Sequence, residues 1–340
     1  MAEYKLKVVE ESEKLVIILK WGSIMNNLSL TACSIWIREK NFNKNNSIKI
    51  INLNKKIIGK EKEYNDFFDV LKNFCEKYSR KISLNNYEQK MFKIETQNVK
   101  VEENEKFRYT YIDINSGGYG IEANIVNTKT NKVLYTRKRE HAETIHFRVF
   151  FAVPKGNDTC KGIIIFQNIG QYGIKTITTD YLRKFINDEL NLYTTTGNIC
   201  PQVFVKKLLD NNGLMKIIYI RNNISNDKAD IETMGYGKEE RIITGFSNMK
   251  KWKEKISEYF NGSNRIYEFE DIDYSGVKFV TSIYGRIRTI NINNINKLSI
   301  IEGIPDEVIN SLGNIDEQRL KNHFVEVTKE YLEHMVYNKI

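Results

Sequence analysis

Three short runs of cations in this chain stand beside aromatic residues. Tyr135-Thr136-Arg137-Lys138-Arg139 closes an alternating apolar segment, Lys250, Lys251, Lys253 and Lys255 surround Trp252, and Arg286 and Arg288 follow Gly285. Ammonium and guanidinium groups neutralise phosphates, and aromatic rings stack on bases, so such runs are the expected chemistry of a nucleic-acid surface. Two positions apart on a strand, Arg286 and Arg288 point to the same face. Met249, Trp252, Ile256 and Phe260 follow a helical stripe, which assigns the Trp252 ring to a core and leaves the lysines outside. With Lys175 as one further contact, the candidate binding set is Arg137, Lys138, Arg139, Lys175, Lys250, Lys251, Lys253, Arg286 and Arg288. A phosphate track requires these clusters to converge on one face.

Lys175 lies in KGIIIFQNIGQYGIKTITTDYL, residues 161–182, which has the outline of a phosphate-binding loop: strand, glycine turn, Lys-Thr, helix. The chemistry of that loop needs the lysine directly after the second glycine, and here Ile174 intervenes. The β-branched residue is a poor fit to a tight anion nest, and GIKTI alternates as a strand does. The reading is therefore architectural. A central strand 162–166 turns through QNIGQYG into a strand 173–177, and a helix over about 179–190 starts at Thr178 or Thr179, with no nucleotide beside it.

The remaining constellations lack their partners. NSGGYG, residues 115–120, reads as a hairpin turn, because the lysine strand and HRD segment of a kinase are absent. His141-Ala142-Glu143 has the HxE letters of zinc deaminases without a following PCxxC. Arg319 and His323 share a helix face but stand one residue too close for the R-x4–6-H pair of HEPN ribonucleases; with Glu326, Glu330 and Glu333 they read as a solvated charged stripe. Glu88-Gln89-Lys90, with Asp66 and Asp69 upstream, supplies the letters of a Mg²⁺-dependent nuclease of the PD-(D/E)xK type, though without the apolar flanks of a core strand. Asp227, Asp230 and Glu232 form an acidic group in a polar loop. The cysteines Cys33, Cys75, Cys160 and Cys200 form no CxxC pair and read as buried residues rather than metal ligands. No cofactor is expected, except Mg²⁺ if the chain is a nuclease.

The elements that must position these residues are legible from periodicity. Residues 61–79 carry a helical apolar stripe, and 315–337 carry another, with Asn314 and Glu317 as its capping box. Between Val99 and Val153 the period is two, in FRYTYIDI, GIEANIV, KVLYTRK and IHFRVFFAV, which reads as an antiparallel meander. Strands are also expected within Tyr4–Trp21 and over 214–221, 276–284 and 286–292, and helices over about 201–211 and 248–260. The expected fold is α+β: residues 1–154 form an N-terminal domain with a helix and the meander, and 155–340 form a C-terminal mixed α/β domain.

Fifty-two Lys and Arg against 43 Asp and Glu give a net charge of +9 over 340 residues, which favours a polyanionic partner. The Lys-, Asn- and Ile-rich stretches are also what an AT-rich genome encodes, so the excess is not specific to one ligand. With no run of the roughly 18–20 apolar residues needed to span a bilayer, a cytoplasmic location without membrane contact is expected. The reading is a nucleic-acid- or polyanion-binding protein of phage–host conflict, in defence or counter-defence. The alternatives are a Mg²⁺-dependent nuclease with a divergent site and a non-enzymatic module that binds an acidic protein partner.

Overall fold

The unbroken apolar run Ile163–Phe166 demands a strand with both faces covered, because a strand exposes alternate side chains to opposite sides. The computed structural model places that strand in the middle of a large sheet with helices on either face. It describes residues 28–40, 49–170, 172–199, 204, 213–222, 238–246, 254, 276–283, 285–293, 298–309 and 314–335.

The chain runs through β1 (Leu28–Glu39), the short ribbon β2 (Ile57–Ile58) and β3 (Glu63–Tyr64), and helix α1 (Phe67–Ser79). Strands β4 (Ser83–Asn85), β5 (Lys90–Ile94), β6 (Val101–Glu103) and β7 (Phe107–Gly118) follow. A separate hairpin, β8 (Ala123–Val126) and β9 (Val133–Arg137), precedes β10 (Ile145–Pro154), β11 (Gly162–Ile169) and β12 (Tyr172–Gly173). Helix α2 (Lys175–Phe185) continues as a π turn, Ile186–Leu190, into β13 (Leu192–Asn198). Then come β14 (Leu214–Asn222), β15 (Lys238–Ile243), β16 (Gly276–Ile283), β17 (Arg286–Asn293), β18 (Leu298–Gly303) and helix α3 (Glu317–Glu333).

The main sheet has the order β15-β14-β16-β17-β18-β1-β11-β10-β7-β5-β4, with β12, β13 and β6 attached to β11, β1 and β7. Alternation sorts the side chains of its central strands into two cores. Cys33, Ile35 and Ile37 of β1, with Ile164 and Phe166 of β11, pack on the stripes of α1 and α2. Leu28, Leu30 and Ala32, with Ile163 and Ile165, belong to the opposite layer, which α3 covers through Leu320, Phe324, Val327 and Tyr331. No helix among the described residues is long and apolar enough to cross a membrane.

The α+β class and the central place of strand 162–166 agree with the sequence reading; several details differ. Pairings between the described main-sheet strands are antiparallel throughout, where a mixed sheet is expected for the C-terminal half. A tight turn such as the one at Gly285, between β16 and β17, permits only that arrangement. The sheet also passes across residue 154: β10 and β11, on either side of it, are hydrogen-bonded neighbours. Helix α2 begins at Lys175 rather than near residue 179. Buried Ile177, Thr178, Leu182 and Phe185 extend a helical stripe back to Ile174, and this overrides the strand-like letters of GIKTI. Gly170, at φ +60°, closes the turn, and Tyr172 and Gly173 fold back onto Ile169 and Asn168. Helix α1 starts at Phe67 because Asp66 accepts the Asp69 backbone N–H at 3.0 Å, and α3 is capped by Asp316, not Asn314. The strands expected within 4–21 lie outside the described residues, as do the helices expected over 201–211 and 248–260 apart from Phe204 and Glu254, each of which is helical.

Candidate nucleic-acid interface

The expected four-strand meander is interrupted. Strand β7 pairs directly with β10, Ser116 opposite Ile145, and the two segments between them leave the sheet as an arm. Among the described residues, strands β8 and β9 pair only with each other, Ala123 opposite Arg137 and Ile125 opposite Tyr135. A bulge at Leu134 brings Val126 opposite Val133. The tip is a built turn: the Asn127 side chain accepts from the Lys129 and Thr130 N–H groups at 2.9 and 3.1 Å, and Asn131 takes φ +55°.

The root of the arm is tied to the sheet by main-chain bonds. Gly120 N–H donates to the Arg139 carbonyl at 2.8 Å, Glu143 N–H to Gly118 at 3.0 Å, and Tyr119 N–H to Gln89 at 3.0 Å. Gly117 is required there, since a Cβ would lie 1.4 Å from the Glu143 carbonyl oxygen. Within the arm, Thr136 donates to Asn124, and the rings of Tyr135 and His141 stack at 5.6 Å with the tyrosine hydroxyl against Nδ1.

Beyond this root the arm is in solvent on both faces. Leu134 is 65% and Val133 55% exposed, and Ile125, Val126 and Tyr135 are exposed as well. Residues 123–139 contain Lys129, Lys132, Arg137, Lys138 and Arg139 and no acidic residue. Of the predicted contacts, Lys138 and Arg139 are exposed in the turn that follows β9, whereas Arg137 is half-buried and donates to Glu143 at 3.2 Å and to the Ile121 carbonyl at 3.3 Å. Lys129 and Lys132 lie in NTKTNK, which reads from sequence as a connection between strands and carries no binding signal of its own. The missed signal is Val133-Leu134-Tyr135, three consecutive apolar residues where a half-buried strand would alternate.

The other predicted arginines serve the core. Arg286 and Arg288 share a face of β17 as expected, but that face is covered by α3. Arg288 is fully buried: its Nε meets the Glu302 carboxylate at 2.8 and 3.0 Å, one terminal nitrogen meets the Ile283 carbonyl at 2.6 Å, and the other meets Glu330 at 2.7 Å. Its guanidinium also lies 4.3 Å over the Phe204 ring. Tyr331 donates its hydroxyl to Glu302 at 2.8 Å, and Arg286 bridges Glu330 and Glu326 at 2.8 and 2.9 Å. Burial disfavours both charges of the central pair. At Arg288 burial is outweighed by Glu302 and Glu330, so the group stays a cation, while burial pushes the Glu302 carboxyl up against the pull of Arg288. A guanidinium so enclosed has no face left for phosphate.

The stripe Arg319, His323, Glu326, Glu330 is therefore not uniformly solvated. His323 is 4% exposed, and burial, reinforced by Arg286 and Arg288, pushes its imidazole down to about 4. Arg319 points away, to the Glu307 carbonyl at 2.7 Å. Lys175 donates to Asn198 at 2.7 Å, across to β13. Lys250, Lys251 and Lys253 lie outside the described residues. The described members of the predicted set are not gathered on one face: β17 and β10 are separated in the sheet by β18, β1 and β11, four inter-strand steps or about 19 Å.

The acidic letters of the nuclease alternative are dispersed as well. Asp66 caps α1 and pairs with Arg108 at 2.6 Å, while Glu88 sits in the turn before β5 and pairs with Lys90 at 3.4 Å. Asp227, Asp230 and Glu232 lie outside the described residues, and among those described no group of three or more His, Cys, Asp and Glu side chains is placed to hold a metal. Cys33, Cys75 and Cys160 are buried, and burial raises the thiols of Cys33, to about 11, and of Cys75. Compared with protein-family models and with curated proteins, the chain matches none.

Proposed function

We propose that this protein binds nucleic acid and that the β8–β9 arm is the element that engages it. One observation carries the reading: a hairpin stands clear of the fold on both faces, with five cations and no carboxylate over residues 123–139. A two-stranded ribbon fits a nucleic-acid groove, lysines near its tip meet phosphates, and an exposed aliphatic side chain at a bulge, here Leu134, is the kind of group that wedges between base steps. An isolated two-stranded ribbon is marginal in water, so exposed Val133, Leu134 and Ile125 also favour a partner that covers them. That same apolar surface supports a second reading, docking to an acidic protein. A setting in phage–host conflict remains part of the proposal and rests on the charge of the chain alone.

The test uses labelled single- and double-stranded DNA and RNA, with and without Mg²⁺. The variant replaces Lys129, Lys132, Lys138 and Arg139 with Gln and leaves Arg137 in its pair with Glu143. The intact protein should retard nucleic acid without cleaving it, and the variant should bind at least about tenfold more weakly with an unchanged melting temperature. Mg²⁺-dependent products would support the nuclease alternative. No retardation at low salt would abandon nucleic acid for the protein partner.

A further inference from the structure

The face of β1 that packs on α3 through Leu28, Leu30 and Ala32 continues as Ser34, Trp36 and Arg38, beyond the reach of that core. Strand β13 lies alongside, Ser34 opposite Gly197, Trp36 opposite Thr195 and Arg38 opposite Tyr193, so the five side chains and the glycine share one face. On the other side of β1 the ladder with β11 ends at Ile35 opposite Gly162, and Lys161 immediately precedes that glycine. Two aromatic rings are thereby set diagonally on neighbouring strands, at the roughly 7–8 Å expected of such positions. Each ring is accompanied by cations. Lys161 Nζ lies 5.7 Å from the Trp36 ring centre, while Arg38 Cζ and Lys40 Nζ lie 5.2 and 5.4 Å from that of Tyr193.

Several features mark this as a platform rather than core. Tyr193 is 44% exposed and Trp36 half-buried. The edge of the indole rests over Gly197, where a Cβ would approach the ring to 3.3 Å, so the ring uses space that the glycine leaves open. No carboxylate occurs among Ser34, Trp36, Arg38, Lys161, Tyr193, Thr195 and Gly197. A ring in water gains only about 0.5–1 kcal/mol from a cation over it, little enough for the cation to move to a phosphate while a base takes the ring face.

We infer that this face binds unpaired nucleotides, with bases stacked on Trp36 and Tyr193 and phosphates held by Arg38, Lys40 and Lys161. Duplex bases are stacked on one another and offer no free π face, so the ligand class is single-stranded nucleic acid. The inference rests on nucleic acid being the ligand, but it does not depend on the arm.

The probe is an oligothymidylate of about twelve nucleotides, titrated into the full chain while tryptophan emission is followed; Trp21 and Trp252 contribute a constant background. Stacking should quench part of the emission, and the same strand in duplex form should quench less. Trp36→Leu and Tyr193→Leu should each weaken binding of the single strand about tenfold, and Trp36→Leu should remove the quench. Tyr193 is exposed enough that its variant keeps the fold even if Trp36→Leu does not. The arm variant with Lys129, Lys132, Lys138 and Arg139 replaced by Gln should retain the quench. Unchanged affinity in Tyr193→Leu together with an unquenched wild type would overturn the inference while leaving arm-dependent duplex binding intact. Absence of any binding by the wild type would remove the nucleic-acid reading and this inference with it.

Discussion

Truncating Arg288 would leave Glu302 as a buried carboxylate with the Tyr331 hydroxyl as its remaining side-chain donor among the described residues, because its bonds at 2.8 and 3.0 Å come from Arg288 Nε. Breaking a buried pair from one side typically costs about 3–5 kcal/mol, whereas replacing both partners with apolar groups is often neutral. Arg288→Met should therefore lower stability to urea by about that amount, and Arg288→Met with Glu302→Leu should recover more than half of it; equal losses in the two would contradict the network. His323 gives a pH signature of its own. Its folded value of about 4 lies below the usual 6.5, so between these values the unfolded chain takes up a proton that the folded one refuses. The stability this neutral imidazole contributes is complete above about pH 6.5 and is lost as pH falls towards 4, by about 3 kcal/mol in all. Urea melts across pH 4–7 should show this loss in the wild type and a flatter profile in His323→Leu. Strand alternation was enough to put Arg286 and Arg288 on one face. What covers that face was not legible, since Glu326 and Glu330 come from a helix some forty residues later, and only the tertiary fold turns them inward.

At the scale of elements, the arm depends on a close main-chain crossing at its root. Gly117→Ala puts a methyl group into the Glu143 carbonyl, while a Cβ at the neighbouring Gly118 meets nothing within 4 Å. Gly117→Ala should thus lower the melting temperature, by an amount equivalent to about 1–3 kcal/mol, and weaken nucleic-acid binding, whereas Gly118→Ala should leave both near wild type. The two variants behaving alike would show that the root is not tight. Periodicity located β7 and β10 because Phe107, Ile112, Ile114, Phe147, Val149 and Phe151 alternate into the cores. It misplaced β8 and β9, whose letters carry strand propensity without a buried face. Propensity states that a segment is extended, and burial states what it pairs with; the arm has the first alone. Helix α2 is the converse case, where the stripe from Ile174 to Phe185 prevailed over a five-residue alternation.

For the whole molecule, the net charge of +9 is divided between cations neutralised within the fold and cations presented outside it. Arg108, Arg148, Arg286 and Arg288 are held by Asp66, Glu317, Glu326, Glu330 and Glu302 and fasten helices α1 and α3 to the sheet. Composition alone gave the sign of the excess but not this division, which follows from burial. The cations of the arm and those of the β1–β13 face stand apart from these clamps. The most direct test of the account is the salt dependence of nucleic-acid affinity, because each phosphate neutralised on a duplex contributes about −0.9 to the slope of log K against log salt. The wild type should show a steep negative slope, and replacing Lys129, Lys132, Lys138 and Arg139 with Gln should make it shallower by up to about 3.6. A slope unchanged by those four substitutions would contradict the assignment of the arm as the nucleic-acid-binding element.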